Sequence, residues 1–387
     1  MEFFALLLIV LAVILVQNWV FARWGLRDLD YRCSLSTEEA WQYDEIELVE
    51  TVLNRKWLPA PWLKAEITAS RDLDFAGAQS VVTDKSRFVP SFFMVRSYQK
   101  VERSWKVRCV RRGEMEIQKI VLVSTDLFGN VSLSRPVEVS AQVLVLPKPF
   151  ELETMFFAPK SLTGDVVVRR NLLEDPFFRA GVREYTGREA MNQIHWNASV
   201  KEQELMVYQH DSTTSQTLTV LLNMQSRERD FSVVEDLVEA CIRTCAAVLE
   251  NTIPQQLPVR LMANGNITNA LLQTHEGLVS TQSWGPEHVT ELFRLLARLK
   301  YGITDSFDDF LMDTAQRVDS TDLVLITPYL TDAIRQFIYL RQQAGIRVKT
   351  FVLGRIADGE IPEGMDILCL REQYQEAEAA ERKEAVS

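Results

Sequence analysis

An uncharged apolar run at the N-terminus constrains this chain more than any other feature. Residues 3–16 read FFALLLIVLAVILV, and no charged residue occurs between Phe3 and Ala22. About 20 such residues are enough to cross the core of a bilayer as a helix. A cleaved signal peptide is the alternative, but Glu2 stands where a basic residue is usual, and no small-residue cleavage motif precedes Arg23. We therefore expect residues 1–24 to be a single transmembrane anchor.

The residues that flank this run predict its orientation. Arg23, Arg27 and Arg32 follow it directly, whereas no lysine or arginine precedes it. Basic residues near a membrane span are enriched on the cytoplasmic side, and Trp19 and Trp24 stand where an interfacial aromatic belt would lie. The sequence thus predicts a single-pass protein of the inner (cytoplasmic) membrane, with its soluble domains in the cytoplasm.

Length, charge and cysteine content exclude several classes of protein. The chain has 387 residues, of which 47% are hydrophobic and 25% charged, and this is typical of two folded domains. Its net charge of −11 disfavours binding to a phosphate backbone, so nucleic acid is not expected as a partner. The five cysteines form no CxxC pair, which argues against a disulfide framework and favours a reducing compartment. Cys241 and Cys245 share one face of a predicted helix and are expected in a core.

The soluble part divides into two halves by its hydrophobic pattern. Residues 30–148 contain short runs that alternate with period two, such as EIELVETVLN, and they predict an all-β sandwich. In the C-terminal region, residues 150–370, strand and helix patterns alternate from about residue 205 onward and predict a doubly wound α/β domain with a mostly parallel sheet. One of its helices is expected to begin after Thr331 and to stop at Gly345. The charged tail, 371–387, is expected to be a solvated helix or frayed end, or else a segment that binds a partner.

The stretch DPFFRAGVREYTGREAMNQIHWNAS, residues 175–199, resembles the signature of a bacterial family of unknown function numbered fifty-eight, the DUF58 proteins. Members show an R-E-Y segment, then a Gly-Asp pair, an arginine and an I-[HD]-W-K-A-S-A-R run. The matching residues, with Glu189 at the position of the family aspartate, are Asp175, Arg183, Glu184, Tyr185, Glu189, Ile194, His195, Trp196, Ala198 and Ser199. Four positions depart from the family pattern. Arg188 replaces its glycine and Asn192 its arginine, while Asn197 replaces its lysine and Lys201 its final arginine.

The resemblance extends over nearly the whole chain. Further segments that look like family landmarks are NRKWLPAPWL at residues 54–63, Arg111-Arg112-Gly113, and TDLFG at residues 125–129. The resemblance implies a membrane anchor, a β domain and a von Willebrand A-like C-terminal domain. It also implies association with an AAA+ ATPase of the MoxR type. It therefore indicates an architecture and a partner, but no reaction.

A metal site of the von Willebrand A kind would need a D-x-S-x-S run after the first strand of the α/β domain. The matching segment here is Asn223-Met224-Gln225-Ser226-Arg227, and the later strand that often supplies T-D-G ends as Thr327-Pro328. Mg²⁺ prefers anionic and hydroxyl oxygens, and a guanidinium repels it. We expect no bound metal and no cofactor. A divalent-metal-dependent ligand-binding domain remains the alternative.

Catalysis is the other alternative, as a hydrolase that uses His195. Ser199 lies only four residues from His195, without a nucleophile-elbow pattern, and members of the family can carry aspartate at the histidine position. His210, His275 and His288 stand singly, and no GxxxxGK[ST] phosphate loop occurs. The chain is therefore not expected to be an enzyme.

The charged and aromatic side chains of the signature support two readings. In the first they form a structural lock, in which Arg179 and Arg183 pair with Glu184, Glu189 or Asp175, and Trp196 supplies apolar cover. In the second they form a docking surface for a partner. We expect a membrane-anchored adaptor or scaffold that presents a metal-free domain to a MoxR-type ATPase, in the assembly or remodelling of membrane or envelope proteins.

Overall fold

The computed structural model of the chain describes the anchor, the sandwich and most of the α/β domain. The described residues are 2–149, 179–185, 194–210, 216–228, 233–267, 277–314, 317–318, 320–354, 362 and 364–375. The predicted charged tail therefore lies outside the described residues beyond residue 375.

A long apolar helix, α1 (Glu2–Trp24), opens the chain. Its segment Leu6–Trp24 is long and apolar enough to cross a membrane, by length and composition, a property that an N-terminal signal sequence shares. Large side chains such as Phe3, Ile9 and Val16 are exposed along it. The predicted single apolar helix at the N-terminus is confirmed.

Eleven strands between residues 29 and 146 build a β-sandwich. They are β1 (Leu29–Leu35), β2 (Glu39–Trp41), β3 (Glu45–Asn54), β4 (Ala60–Ser70), β5 (Leu73–Phe75), β6 (Val81–Val82), β7 (Ser86–Val95), β8 (Lys100–Cys109), β9 (Gly113–Thr125), β10 (Ser132–Val137) and β11 (Gln142–Leu146). One sheet has the order β1-β3-β8-β5, and the other has the order β2-β11-β9-β4-β7-β6, with β10 also paired to β9. Only the β2–β11 pair is parallel among these described strands.

Side-chain alternation explains why these strands pack face to face. Along β3, Ile46, Leu48 and Val52 point inward and are buried, while Glu45 and Glu47, on either side of Ile46, are exposed. The inward residues of both sheets form one continuous apolar core. Burial of that apolar surface drives the two sheets together. The predicted sandwich is thus confirmed.

The signature region forms a small unit of its own ahead of the larger sheet. It consists of β12 (Arg179–Glu184), α2 (Trp196–Glu202) and β13 (Met206–His210). The two strands pair antiparallel in a two-stranded sheet, and α2 lies in the segment that connects them.

The rest of the chain forms an α/β unit around a six-stranded sheet with the order β17-β15-β14-β19-β20-β21. Its elements are β14 (Leu218–Leu222), α3 (Glu235–Glu250), β15 (Val259–Ala263), β16 (Gly265–Ile267), β17 (Leu278–Val279), α4 (Pro286–Arg298), β18 (Leu299–Ile303), α5 (Phe307–Thr314), β19 (Asp322–Thr327), α6 (Asp332–Gln343), β20 (Arg347–Val352) and β21 (Asp366–Cys369). The edge strand β17 runs antiparallel, the other five strands are parallel, and β16 pairs with β18 separately.

Helices cover both faces of this sheet. One core contains residues of α3 and α4, including Cys241 and Cys245, which are buried as predicted. A second core on the opposite face contains residues of α5 and α6. The hydroxyl of Thr331 accepts the Ile334 N–H at the start of α6, and Gly345 follows the helix with a φ of +80°, so both predicted helix signals are confirmed.

The two domains share one strand. Val143 and Val145 of β11 belong to the sandwich core, whereas Leu144 and Leu146 belong to the core of the α/β domain. Helix α4 packs against β11 from the α/β side. Because successive side chains of a strand point to opposite faces, a single strand can contribute to both cores. The domain boundary near residue 148 is therefore a boundary in the chain rather than a gap in the packing.

Candidate functional site

The described part of the signature is tied together by its backbone. Tyr185 donates its N–H to the Leu205 carbonyl at 2.7 Å, which continues the pairing of β12 with β13. Ile194 forms an isolated antiparallel bridge with Val207, and both side chains are buried. Ile194 is thereby fixed beside β13, two residues before α2 begins.

His195 and Ser199 hold the start of α2. The Nδ1 atom of His195 accepts the Ala198 N–H at 3.0 Å, so this histidine is the N-cap of the helix. Ser199 donates its hydroxyl to the His195 carbonyl at 3.0 Å and accepts the Met206 N–H at 2.8 Å. A side-chain acceptor at the N-cap satisfies one of the N–H groups that a helix start leaves without a partner. The two residues therefore join the helix start to the strand that follows.

Among the described contacts, the Ser199 hydroxyl and the His195 imidazole are not hydrogen-bonded to each other as a nucleophile and its base would be. The Ser199 hydroxyl donates to a backbone carbonyl rather than to the imidazole, and the Nδ1 lone pair of His195 is engaged by a backbone N–H. A nucleophile and its base must share a hydrogen bond for serine activation. The geometry of these two described residues provides a helix cap and a strand contact instead.

Trp196, the tryptophan of the signature, is largely exposed. Its side chain is 59% exposed on the first turn of α2, and Val200, one turn later, is 79% exposed. Leu205 beyond the helix is also exposed. Residues four apart lie on the same face of a helix. Trp196 and Val200 therefore form an exposed apolar strip, and the choice between a structural lock and a docking surface stays a prediction.

The remaining predicted signature residues divide into two groups. Arg179, Arg183 and Glu184 lie on β12, where only the backbone is described, and Asp175 and Glu189 lie outside the described residues. The ion pairs expected among these five residues stay a prediction.

A second region stands at the carboxyl ends of β14 and β19, the central strands of the main sheet. From β14 the chain adds strands first on one side of the sheet and then, from β19, on the other side. In open α/β sheets, ligands bind in the crevice outside such a switch point. Asn223 donates its side-chain N–H to the Thr327 hydroxyl at 3.0 Å, and its Oδ1 accepts the Gln225 N–H at 2.9 Å. The tertiary fold thus brings together the Asn223 segment and Thr327, which stand where a von Willebrand A-like metal site would have its ligands.

Neutral side chains in this crevice hydrogen-bond to one another and to the backbone. Gln225 accepts the Phe307 N–H at 3.0 Å and donates to the Arg227 carbonyl at 2.8 Å. Asn264, which the sequence reading missed, accepts the Met224 N–H at 2.8 Å. Their oxygens are already engaged as acceptors, and no cluster of three His, Cys, Asp or Glu side chains with metal-binding geometry occurs among the described residues. The absence of a metal stays a prediction.

An acidic side chain from a helix start also faces this crevice. Burial, together with the nearby Glu228 and Asp309 carboxylates, raises the pKa of Asp308, while a hydrogen bond with Thr331 acts in the opposite direction. Burial is also the main cause that raises the pKa of Tyr329 to about 12, and an Asn223 hydrogen bond opposes it. The sequence signal for Asp308 was weak, because paired acids in the first turn are common in solvated helices.

The interface between the domains centres on a buried arginine of the sandwich. The Arg112 Nε lies 3.0 Å from a carboxylate oxygen of Glu239, with the two side chains 2% and 7% exposed. Arg112 also donates to the Leu296 and Leu299 carbonyls at 2.8 and 2.7 Å, at the end of α4. The Tyr301 hydroxyl donates to Glu239 at 2.6 Å, and burial beside that carboxylate raises the pKa of Tyr301. The segment Arg111-Arg112-Gly113 is therefore part of the interface between the two domains.

Further contacts between the domains surround the Arg112–Glu239 pair. The Arg294 guanidinium makes two bonds to the Glu39 carboxylate, at 2.7 and 3.2 Å. Trp41 of β2 meets Phe293 of α4 edge to face, with ring centroids 5.3 Å apart. Arg243, fully buried in α3, donates to the Lys148 carbonyl at 2.9 Å. The interface thus combines a buried polar centre with apolar and charged contacts around it.

Comparisons with known proteins leave the family of this chain open. No family model matches it, and no curated protein matches it. Among solved structures, a non-cellulosomal cohesin from Archaeoglobus fulgidus is 14% identical over 30% of this chain and 91% of its own, with a TM-score of 0.20. Native alpha-2-macroglobulin from Escherichia coli, spanning domain MG7 to the C-terminus, is 11% identical over 31% of this chain and 23% of its own, with a TM-score of 0.23. The CARDB domain of a Pyrococcus furiosus protein is 10% identical over 30% of this chain and 90% of its own, with a TM-score of 0.19. Similarities of this size carry no functional conclusion.

Proposed function

We propose that this chain is a membrane-anchored adaptor of the DUF58 type that presents a von Willebrand A-like domain to a MoxR-type AAA+ ATPase. The proposed joint task is the assembly or remodelling of membrane or envelope proteins, with no chemistry on this chain. Helix α1 crosses the inner membrane once and leaves both domains in the cytoplasm, because Arg23, Arg27 and Arg32 follow it directly.

The order of strands in the main sheet supports the fold part of this proposal. Numbered along the chain, the strands of that sheet lie in the order 3-2-1-4-5-6, with the third strand antiparallel at the edge. This is a common doubly wound order, with its switch point between the first and fourth strands. The Asn223 segment follows the first strand and Thr327 ends the fourth, which are the places where a von Willebrand A-like domain would hold its ion.

The exposed strip on α2 is the observation that carries the adaptor function. Trp196 and Val200 project from a helix whose start is fixed by His195 and Ser199. Tryptophan is enriched among the residues that dominate the energy of protein interfaces. A helix held in place before binding loses little conformational freedom when a partner covers it. The part of the signature with the clearest geometry is therefore suited to docking.

The switch-point crevice supports binding without a bridging metal. Asn223, Gln225 and Asn264 offer amide groups whose oxygens accept backbone N–H groups within the crevice. A divalent ion prefers carboxylate oxygens that remain available to it. We infer that the partner recognises the shape and hydrogen-bonding groups of the domain instead of a shared cation.

Co-purification from detergent extracts tests this function. Full-length wild-type protein is expected to recover an AAA+ ATPase, identified by mass spectrometry. The variant Trp196→Ser is expected to lose at least about tenfold of that recovery, because removing a central aromatic contact costs about 2 kcal/mol or more.

Trp284→Ser is the matched control, since Trp284 is 60% exposed and lies outside the signature. It should recover the ATPase as well as the wild type does. Equal recovery by both variants would reject docking through α2. Recovery of no ATPase with the wild-type protein would reject the adaptor proposal itself.

A further inference from the structure

The turn between β9 and β10 displays two neighbouring apolar side chains. Leu127 is 65% exposed and Phe128 is 61% exposed at its tip. Single apolar residues are common on protein surfaces, whereas adjoining ones in a larger apolar patch mark a contact site. The tip therefore calls for an explanation beyond the packing of the sandwich.

Internal hydrogen bonds make this turn rigid. Asp126, which is buried, accepts the Val131 N–H on Oδ1 at 2.9 Å, and its own N–H donates to the Val131 carbonyl at 3.0 Å. Gly129 adopts a φ of +76°, a conformation that residues with a side chain rarely take. An aspartate bonded to the backbone of its own turn is a common way to stabilise such a loop. Leu127 and Phe128 are thus held outward before any contact forms.

The turn lies against the apolar helix α1. Gln17 donates its side-chain N–H to the other carboxylate oxygen of Asp126 at 3.1 Å. Gln17 precedes the helix end at Trp24 by seven residues, which corresponds to about 10 Å along the axis at ~1.5 Å per residue. Leu133 of β10 lies close to Gly25, where an added Cβ would approach its side chain to 2.7 Å. The turn between β9 and β10 therefore lies beside Gln17, inside the apolar segment Leu6–Trp24 of α1.

Aromatic and basic side chains surround the same end of the sandwich. Trp57 and Tyr98 are 60% and 71% exposed, and they lie in adjoining turns, where the Tyr98 N–H donates to the Lys56 carbonyl at 3.2 Å. The Lys56 ammonium donates to the Gly25 and Arg27 carbonyls just after α1. The exposed arginines at this end, in a chain of net charge −11, are Arg23, Arg27, Arg55 and Arg96. Two of them also have acidic neighbours: Arg27 lies 3.8 Å from the Asp28 carboxylate and Arg55 lies 2.8 Å from the Asp30 carboxylate.

We propose that this end of the sandwich makes a second contact with the lipid bilayer. Leu127 and Phe128 enter the interfacial layer of the leaflet from which α1 emerges, and the exposed arginines approach anionic headgroups. The proposal rests on the proposed transmembrane anchor, which places lipid around α1 at the level of Gln17. Aromatic residues favour this interface, and anionic lipids attract basic segments next to a membrane span. The two contacts together fix the tilt of the sandwich on the membrane.

A fluorophore on the turn tests this contact in the full-length protein. Exposed Cys369 is first replaced by serine, and then Leu127→Cys is labelled with an environment-sensitive dye. The protein is reconstituted into vesicles of phosphatidylcholine and phosphatidylglycerol that carry nitroxide-labelled lipids. The dye is expected to shift its emission to the blue and to lose most of its intensity to the nitroxides.

Val81→Cys provides the matched control. Val81 is 67% exposed, and it pairs with Phe88 at the end of β7 remote from the anchor. Its dye is expected to show neither the shift nor the quenching. Equal signals at the two positions would overturn the second contact. If the protein also stays with the vesicles after an alkaline wash, the proposed anchor is retained. Release of the protein by that wash would reject the anchor, and the second contact with it.

The lipid composition tests the role of the arginines. Weaker quenching at Leu127 in vesicles of phosphatidylcholine alone would support their contact with anionic headgroups. Unchanged quenching would overturn that part of the proposal while supporting insertion of the turn.

Discussion

His195 stands where a catalytic histidine could be suspected, but its side chain caps helix α2. Its Nδ1 accepts the Ala198 N–H, so the ring proton of the neutral form is assigned to Nε2. Aspartate, which the resembling family also allows at this position, is among the best N-cap residues because its carboxylate accepts the same kind of N–H. An aspartate at this position is therefore expected to cap the helix as His195 does, although the two residues differ in charge and in catalytic chemistry.

Substitution at His195 separates a capping role from a catalytic one. We expect His195→Ala to lower the free energy of unfolding by about 1 kcal/mol, the usual cost of losing an N-cap acceptor. His195→Asp should keep most of the wild-type stability. Chemical denaturation in detergent, followed by circular dichroism, measures both. A loss with His195→Asp as large as that with alanine would contradict the cap.

In helix α5, one acidic residue lies close to other negative charges. Asp308 and Asp309 occupy its first turn, where acidic residues favour the positive end of the helix dipole. Asp308 also faces the crevice that contains Glu228, and one of its oxygens is buried without a hydrogen-bond partner among the described residues. Burial and these like charges raise the pKa of Asp308, so the folded state holds its proton more tightly than the unfolded chain does.

The pH dependence of stability follows from this shift. Because the folded-state pKa of Asp308 is raised, its stabilising contribution is present below the unfolded pKa of about 3.9 and is lost as pH rises through the folded pKa. We expect Asp308→Asn to be more stable than the wild type at pH 7, by less than about 1 kcal/mol because solvent screens the group. The gain should shrink toward pH 4. Denaturation at several pH values measures it.

Asp313→Asn is the control on the same helix. Asp313 pairs with Arg317 at 3.5 Å on the exposed side of α5, so its removal deletes an attraction rather than a repulsion. A stabilisation of similar size in both variants would show that the crevice is not the cause.

At the scale of the whole molecule, the sandwich and the α/β domain act as one body. The buried Arg112–Glu239 pair lies between them, Arg112 also binds carbonyls at the end of α4, and β11 contributes side chains to both cores. A cation at the end of a helix also interacts favourably with the helix dipole. A membrane-bound sandwich would therefore set the orientation of the α/β domain directly.

Breaking this buried pair is expected to be costly. We predict that Glu239→Gln lowers the free energy of unfolding by about 3 kcal/mol, because Arg112 keeps its charge in a buried site without its carboxylate. Glu114→Gln, which removes the more exposed Arg298–Glu114 pair, should cost less than about 1 kcal/mol. Urea denaturation in detergent compares them. Equal small losses would mean that the domain interface does not depend on the pair.

Features that depend on near neighbours in the chain could be predicted from sequence. The apolar length of α1, the alternation of β3 and the start of α6 at Thr331 all follow from residues within a few positions of one another. Helix caps and periodic burial are local properties of the backbone. The sequence also singles out the segment around Arg112, but it does not indicate that this arginine is buried at the domain interface.

Contacts between distant parts of the chain were decided by the tertiary fold. Glu50 follows the inward phase of β3 and is fully buried, where Tyr31, Ser91 and Trp105 donate to its carboxylate at 2.6 Å. Arg112 meets carbonyls 184 and 187 positions later in the chain. Trp196 has a sequence context that equally allows burial, yet it is exposed. Periodicity identifies which face of an element a residue occupies, but only the packing of elements from separate parts of the chain determines whether a partner, a core or solvent lies against that face.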